Sequence, residues 1–109
     1  MKIILSPHSV FEQDTPPQVR GELITYRGET YDLSQLPEGA IVEADSPFIG
    51  QITRINGEIH LKLEYRYNTN LAEDNQSTNW SDYTFNVTNG QCPDPIVYKP
   101  VAQEPENVD

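Results

Sequence analysis

His60, Lys62 and Glu64 alternate within the stretch INGEIHLKLEYRY, Ile55 to Tyr67. In a catalytic reading His60 would be a general base and Glu64 its orienter. On a strand, positions four apart are separated by roughly 13 Å, from a rise of ~3.3 Å per residue. That is too far for a hydrogen bond. His60 and Lys62 are neighbours on such a face, as are Lys62 and Glu64, and alternating charges then support one another in water. The expectation is a solvated face.

His8, Glu12 and Asp14 form a second set with the chemistry of metal ligands. The i, i+4 spacing of His8 and Glu12 matters only on a helix, and Pro7 keeps any helix there short. No paired-histidine motif accompanies them. They are expected to be surface-loop residues, and no metal or cofactor is expected anywhere. Cys92 lies between Gln91 and Pro93, and a nucleophilic thiol needs a base beside it. Neither His8 nor His60 is tied to it by a motif, so a half-buried structural cysteine is expected. A fourth set is aromatic: Trp80, Tyr83, Tyr65 and Tyr67. Aromatics with Asn and Asp in a loop can stack on sugar rings or anchor a protein partner. Against this, Tyr65 and Tyr67 continue the apolar row of their strand, and Trp80 can fold back to cover it.

The elements that would position these residues are strands. Ile59, Leu61, Leu63, Tyr65 and Tyr67 occupy every second position, a period of two with no competing helical period. Asn56-Gly57 immediately before them is a strong hairpin signal, since both residues tolerate the left-handed backbone of a type I′ turn. Phe48 to Ile55 forms the partner strand. Leu23 to Tyr26 and Glu29 to Leu33 form a second hairpin around Arg27-Gly28. Met1 to Leu5 is read as a short strand ended by Ser6-Pro7, with a loop over residues 8–20. Ser34 can cap one helical turn, which Pro37 and Gly39 keep short. Ile41 to Glu43 forms a short strand within "AIVEA". Residues 68–82 are polar and Asn-rich and read as a long loop. Tyr83, Phe85 and Val87 resume alternation, Asn89-Gly90 turns the chain, and "IVYK" is a last short edge strand. The fold expected is mainly β: one small domain of antiparallel hairpins over residues 1–99, with at most one short helical turn. A disordered acidic tail is expected over 100–109.

Composition narrows the partners. The chain has 109 residues, with 17 acidic against seven basic side chains and a net charge of −10. Nucleic acid needs a basic footprint, and anionic membrane surfaces attract basic segments, so neither is expected as a partner. Ile3-Ile4-Leu5 is too short for a signal-peptide core, and no window approaches the ~20 apolar residues that cross a bilayer. With Cys92 alone there is no intrachain disulfide, which favours a reducing compartment. The sequons at Asn75, Asn79 and Asn86 are read as coincidence in an Asn-rich stretch.

"YRGETYDLSQLPEGA" followed by "FIGQITRINGEIHLKL" resembles small uncharacterised proteins of tailed phages and prophages, encoded among tail or tail-fibre genes. The shared order is an N-terminal "KIILSP" strand, a hairpin, the Asp32 to Ala40 segment and the Ile55 to Leu63 strand. It covers about residues 2–67 and carries no catalytic residues. The resemblance implies an accessory or structural protein of the tail module, in the host-cell cytoplasm or the virion.

The residues themselves point the same way, because nucleophile, base and oxyanion donors find no seed here. A protein that binds another protein and performs no catalysis is expected, with a phage tail component as the partner. Its contact surfaces would be Trp80 and Tyr83 in the loop region, and a free strand edge at Met1 to Leu5, including Ile3 and Ile4. A homodimer through such an edge is opposed by self-repulsion between acidic surfaces. The alternative is a small ligand- or glycan-binding β module using Trp80 and the neighbouring tyrosines.

Overall fold

The computed structural model describes residues 1–100. The acidic tail expected from Pro100 onward lies, from Val101, outside the described residues. The described chain is mainly β, with nine strands and a single 3-10 turn. A five-stranded sheet contains β1 (Lys2–Val10), β5 (Ile41–Glu43), β6 (Gln51–Ile55), β7 (Glu58–Asn68) and β8 (Thr84–Asn86), in the order β5-β6-β7-β1-β8. A four-stranded sheet contains β2 (Gln18–Arg20), β3 (Leu23–Tyr26), β4 (Glu29–Asp32) and β9 (Asn89–Gln91), in the order β4-β3-β2-β9.

Both expected hairpins form. Asn56 and Gly57 have φ of 53° and 79°, so both central residues of the β6–β7 turn lie in the left-handed region that a type I′ turn requires. Arg27 and Gly28, at 52° and 78°, do the same between β3 and β4. Gly28 takes this conformation freely. Arg27 pays roughly 1–2 kcal/mol for it, and its side chain shows what offsets the strain.

The period-two pattern of β7 holds from Glu58 to Tyr65, whereas Arg66, Tyr67 and Asn68 are all half-buried. Ile59, Leu61, Leu63 and Tyr65 are buried, and the residues between them are half-buried. Ile3 and Leu5 of β1 lie opposite Leu61 and Leu63. The apolar faces of both sheets share one buried cluster, to which the four-stranded sheet contributes Val19, Ile24 and Tyr26. Tyr31 packs edge-on against Phe48 at 4.9 Å between ring centres.

The structure corrects several expectations. The sheets are not built of hairpins alone, because β1 runs parallel to β7 over nine residue pairs and antiparallel to β8 over three. Ser6-Pro7 does not end β1. Partner β8 reaches only Lys2 to Ile4, so Pro7 lies where β1 has one open side and a missing N–H is tolerated. The expected loop at 8–20 shrinks accordingly, with β1 running to Val10 and β2 starting at Gln18. Asn89-Gly90 does not turn the chain but forms β9, opposite Val19 and Arg20. Among the described residues no strand follows to complete a hairpin there, since Pro93 and Pro95 remove ladder donors. "IVYK" contributes only one bridge, Tyr98 opposite Ala72. The helical turn lies at Trp80–Tyr83 instead of after Ser34. Asn79 caps it by accepting from the Ser81 amide, whereas Ser34 donates to Asp32 in a tight turn.

Candidate binding surfaces

The loop after β1 carries the residue whose position was least expected. Asp14, read above as a surface residue, is buried, its side chain 4% exposed. Its Oδ1 accepts from Arg27 Nε and Arg66 Nη2, both at 3.0 Å. Its Oδ2 accepts from Arg27 Nη2 and the Arg66 amide, both at 2.7 Å. The Asp14 amide donates to the Arg66 carbonyl at 2.9 Å. Tyr26 donates to the Glu64 carbonyl at 2.7 Å and lies 3.1 Å from Asp14 Oδ2. Arg27 Nη2 also reaches Glu64 Oε1 at 3.0 Å. One carboxylate thus ties β3 of the smaller sheet to β7 of the larger one, and holds Arg27 in its strained backbone. Burial alone would raise the Asp14 carboxyl. Hydrogen bonds from the Arg27 and Arg66 side chains and the Arg66 amide outweigh it and hold the group well below the usual carboxylate range.

A second tie explains the Asp32 to Ala40 segment. Arg54 donates to the Leu33 and Leu36 carbonyls and pairs with Glu22 at 2.7 Å. Glu38 accepts from the Asn56 and Gly57 amides, at 2.6 and 2.7 Å. These polar ties position the framework.

The sets singled out for chemistry do not converge. His8 and Glu12 stay exposed while Asp14 turns inward. His60 lies 3.5 Å from Glu58, and Glu64 is bound to Arg27. The face of alternating charges is therefore a half-buried wall more than an open wet one. Cys92 is buried, and burial, reinforced by Asp94, pushes its thiol up to about 12. An alkylating reagent at pH 8 is expected to leave the native thiol intact and label it only after unfolding. Stoichiometric labelling of the folded protein would show that Cys92 is accessible after all. Tyr65 is fully buried, and its hydroxyl meets no hydrogen-bond partner among the described residues.

The expected contact residues divide. Trp80 is 52% exposed, with Lys62 Nζ 5.1 Å from its ring centre and Tyr83 edge-on at 6.1 Å. Tyr83 itself is buried, its hydroxyl donating to the Ser77 carbonyl at 2.6 Å. Ile3 is fully buried and Ile4 partly so, on a strand paired at both sides. Met1 to Leu5 is therefore no free edge, since β7 and β8 occupy both of its sides.

Edges remain elsewhere. Of the four edge strands among the described residues, β4 carries Glu29 and Asp32, β9 is Asn-Gly-Gln, and β8 abuts the 3-10 turn. Only β5 presents two exposed aliphatic side chains, Ile41 and Val42, at 64% and 44% exposure. Ile55, on the neighbouring strand, is half exposed too. Sequence reasoning found the β5 strand but not its edge position, which depends on the order of the whole sheet.

No helix among the described residues is long and apolar enough to cross a membrane. No family model, curated protein or solved structure gives a significant match to this chain.

Proposed function

We propose that this protein is a binding module that acts by contact with another protein and performs no chemistry. The observation that carries this reading is the β5 edge, a strand paired with β6 on one side and open on the other, bearing Ile41 and Val42 in a chain with few apolar residues to spare. Unpaired backbone groups beside bare aliphatics favour strand addition by a partner. The resemblance over residues 2–67 supports a phage or prophage setting, with a component of the tail module as the partner. A homodimer through β5 would bring Glu38, Glu43 and Asp45 of two copies together, which disfavours it.

The glycan-binding alternative has less support. Sugar stacking needs an open aromatic face, whereas Tyr65 and Tyr83 are buried and Lys62 sits over the ring of Trp80.

The test is a binding assay between the purified protein and the products of the genes encoded beside it, tail-module components among them if the reading holds. Ile41→Lys is expected to weaken the complex at least about tenfold, as loss of an apolar anchor does, with an unchanged melting temperature. Trp80→Ala serves as the second probe. Full binding by both variants would remove the proposed surfaces.

A further inference from the structure

The distribution of positive charge singles out one face. Of the seven basic side chains, Arg27, Arg54 and Arg66 are committed to carboxylates of the framework, Arg20 lies on β2 of the smaller sheet and Lys99 beyond β9. Lys2 and Lys62 reach no carboxylate among the described residues, yet they lie together in a shallow groove of about 410 Å³. The groove runs across β6, β7 and β1 on the side of the sheet turned away from the buried cluster. Ile4 and Ile49 supply apolar surface, and Thr53 and His60 complete the wall. Trp80 stands beside Lys62.

We infer that this groove binds an extended acidic segment of the partner protein. The inference rests on the binding-module reading and assigns the chemistry of the partner. Three observations support it. In a chain of net charge −10, Lys2 and Lys62, neither paired with a carboxylate among the described residues, lie together in the groove, where they attract carboxylates at short range. Their spacing also fits a strand. The register sets Lys2 opposite His60 and Ile4 opposite Lys62, so the two lysines are diagonal neighbours on the parallel β1–β7 pair. A strand spacing of ~4.8 Å and a two-residue rise of ~6.6 Å place them roughly 8 Å apart. Same-side residues of an extended peptide, two apart, are separated by roughly 7 Å. An acid–any–acid segment therefore presents both carboxylates at once. Finally, Ile4 and Ile49 give the groove an apolar component that suits aliphatic side chains of a peptide better than the hydroxyls of a saccharide. His60 is not counted among the cations, because Glu58 lies beside it.

The probe is a short synthetic peptide with aspartate at alternate positions and valine between, labelled for fluorescence anisotropy. Its isostere carries asparagine in place of aspartate. The aspartate peptide is expected to bind the full chain about tenfold or more tightly than the isostere, with complementary charge supplying the difference. The double variant Lys2→Glu, Lys62→Glu should lose that preference and favour a lysine-bearing version of the peptide instead. A melting temperature unchanged from the parent would confirm that the variant is folded. Equal affinity for the aspartate and asparagine peptides, or full retention by the double variant, would overturn the assignment. Binding of a glucuronate oligosaccharide without binding of the aspartate peptide would overturn it too. In the tail-protein assay, loss with Ile41→Lys but not with the double variant would sink this inference while leaving the binding-module reading intact. Absence of any partner would sink that reading alone if the aspartate peptide still bound.

Discussion

Asp14→Asn is expected to cost about 3–5 kcal/mol of stability, the loss typical of removing one member of a buried ion pair. The substituted amide keeps the size of the side chain but cannot accept from all the donors aimed at it. Arg27 and Arg66 would then converge on a neutral group, and the strained backbone at Arg27 would lose its compensation. Urea titration measures this directly, and a loss below about 1 kcal/mol, the range of an exposed pair, would show that the clamp contributes little. The sign of the pH dependence follows from the depressed carboxyl. Asp14 contributes its stability fully above its unfolded pKa of about 4 and loses it progressively as pH falls below that value. Asp14→Asn should accordingly flatten the acid limb of the stability profile as well as lower the neutral plateau.

Leu61→Ala is expected to cost about 2–5 kcal/mol, as a truncation of a side chain buried between two sheets. His60→Ala, one residue earlier on the opposite face, should change stability by no more than about 1 kcal/mol, since its half-buried side chain makes only a loose, partly exposed pair with Glu58. The contrast tests the register, since a slip of one residue would exchange the two faces. Leu61 is 4% exposed and lies opposite Ile3, so the surrounding strands cannot collapse into the space it vacates without losing their own contacts. Denaturant titrations giving equal losses for the two variants would refute this strand placement.

The β6–β7 hairpin was legible in the sequence because its signals are local. Asn56-Gly57 supplies the turn, and each residue of β7 has its inward or outward role written in the alternation. The place of β1 was not legible, because its partners lie far along the chain and parallel pairing leaves no turn to announce it. Ile3 and Ile4 consequently looked like an edge when they lie inside a sheet. Asp14 was hidden for a related reason. Its partners are Arg27 and Arg66, and nothing in Phe11 to Gln18 distinguishes a carboxylate that will be buried from one that will not. The groove at Lys2 and Lys62 likewise exists only once β1 and β7 are paired. Trp80 was more legible, as an aromatic in a polar loop, although the lysine over its ring was not.

The parallel pairing of β1 with β7 also bears on how the chain reaches this state. β1 leaves the ribosome well before its neighbours β7 and β8, which are made only after the smaller sheet's β2–β4 and the β5–β6 pair. Until then β1 has no strand to pair with, and it offers unpaired amides to any other nascent chain. The nucleus that can form early is the β6–β7 hairpin, closed by its own turn. Docking of β1 onto it must close a loop spanning more than half the chain, and such distant contacts slow folding toward the millisecond-to-second range. β1 is thus a strand that must wait long for its partners, and the interval before β7 emerges is when it is most exposed to misassociation.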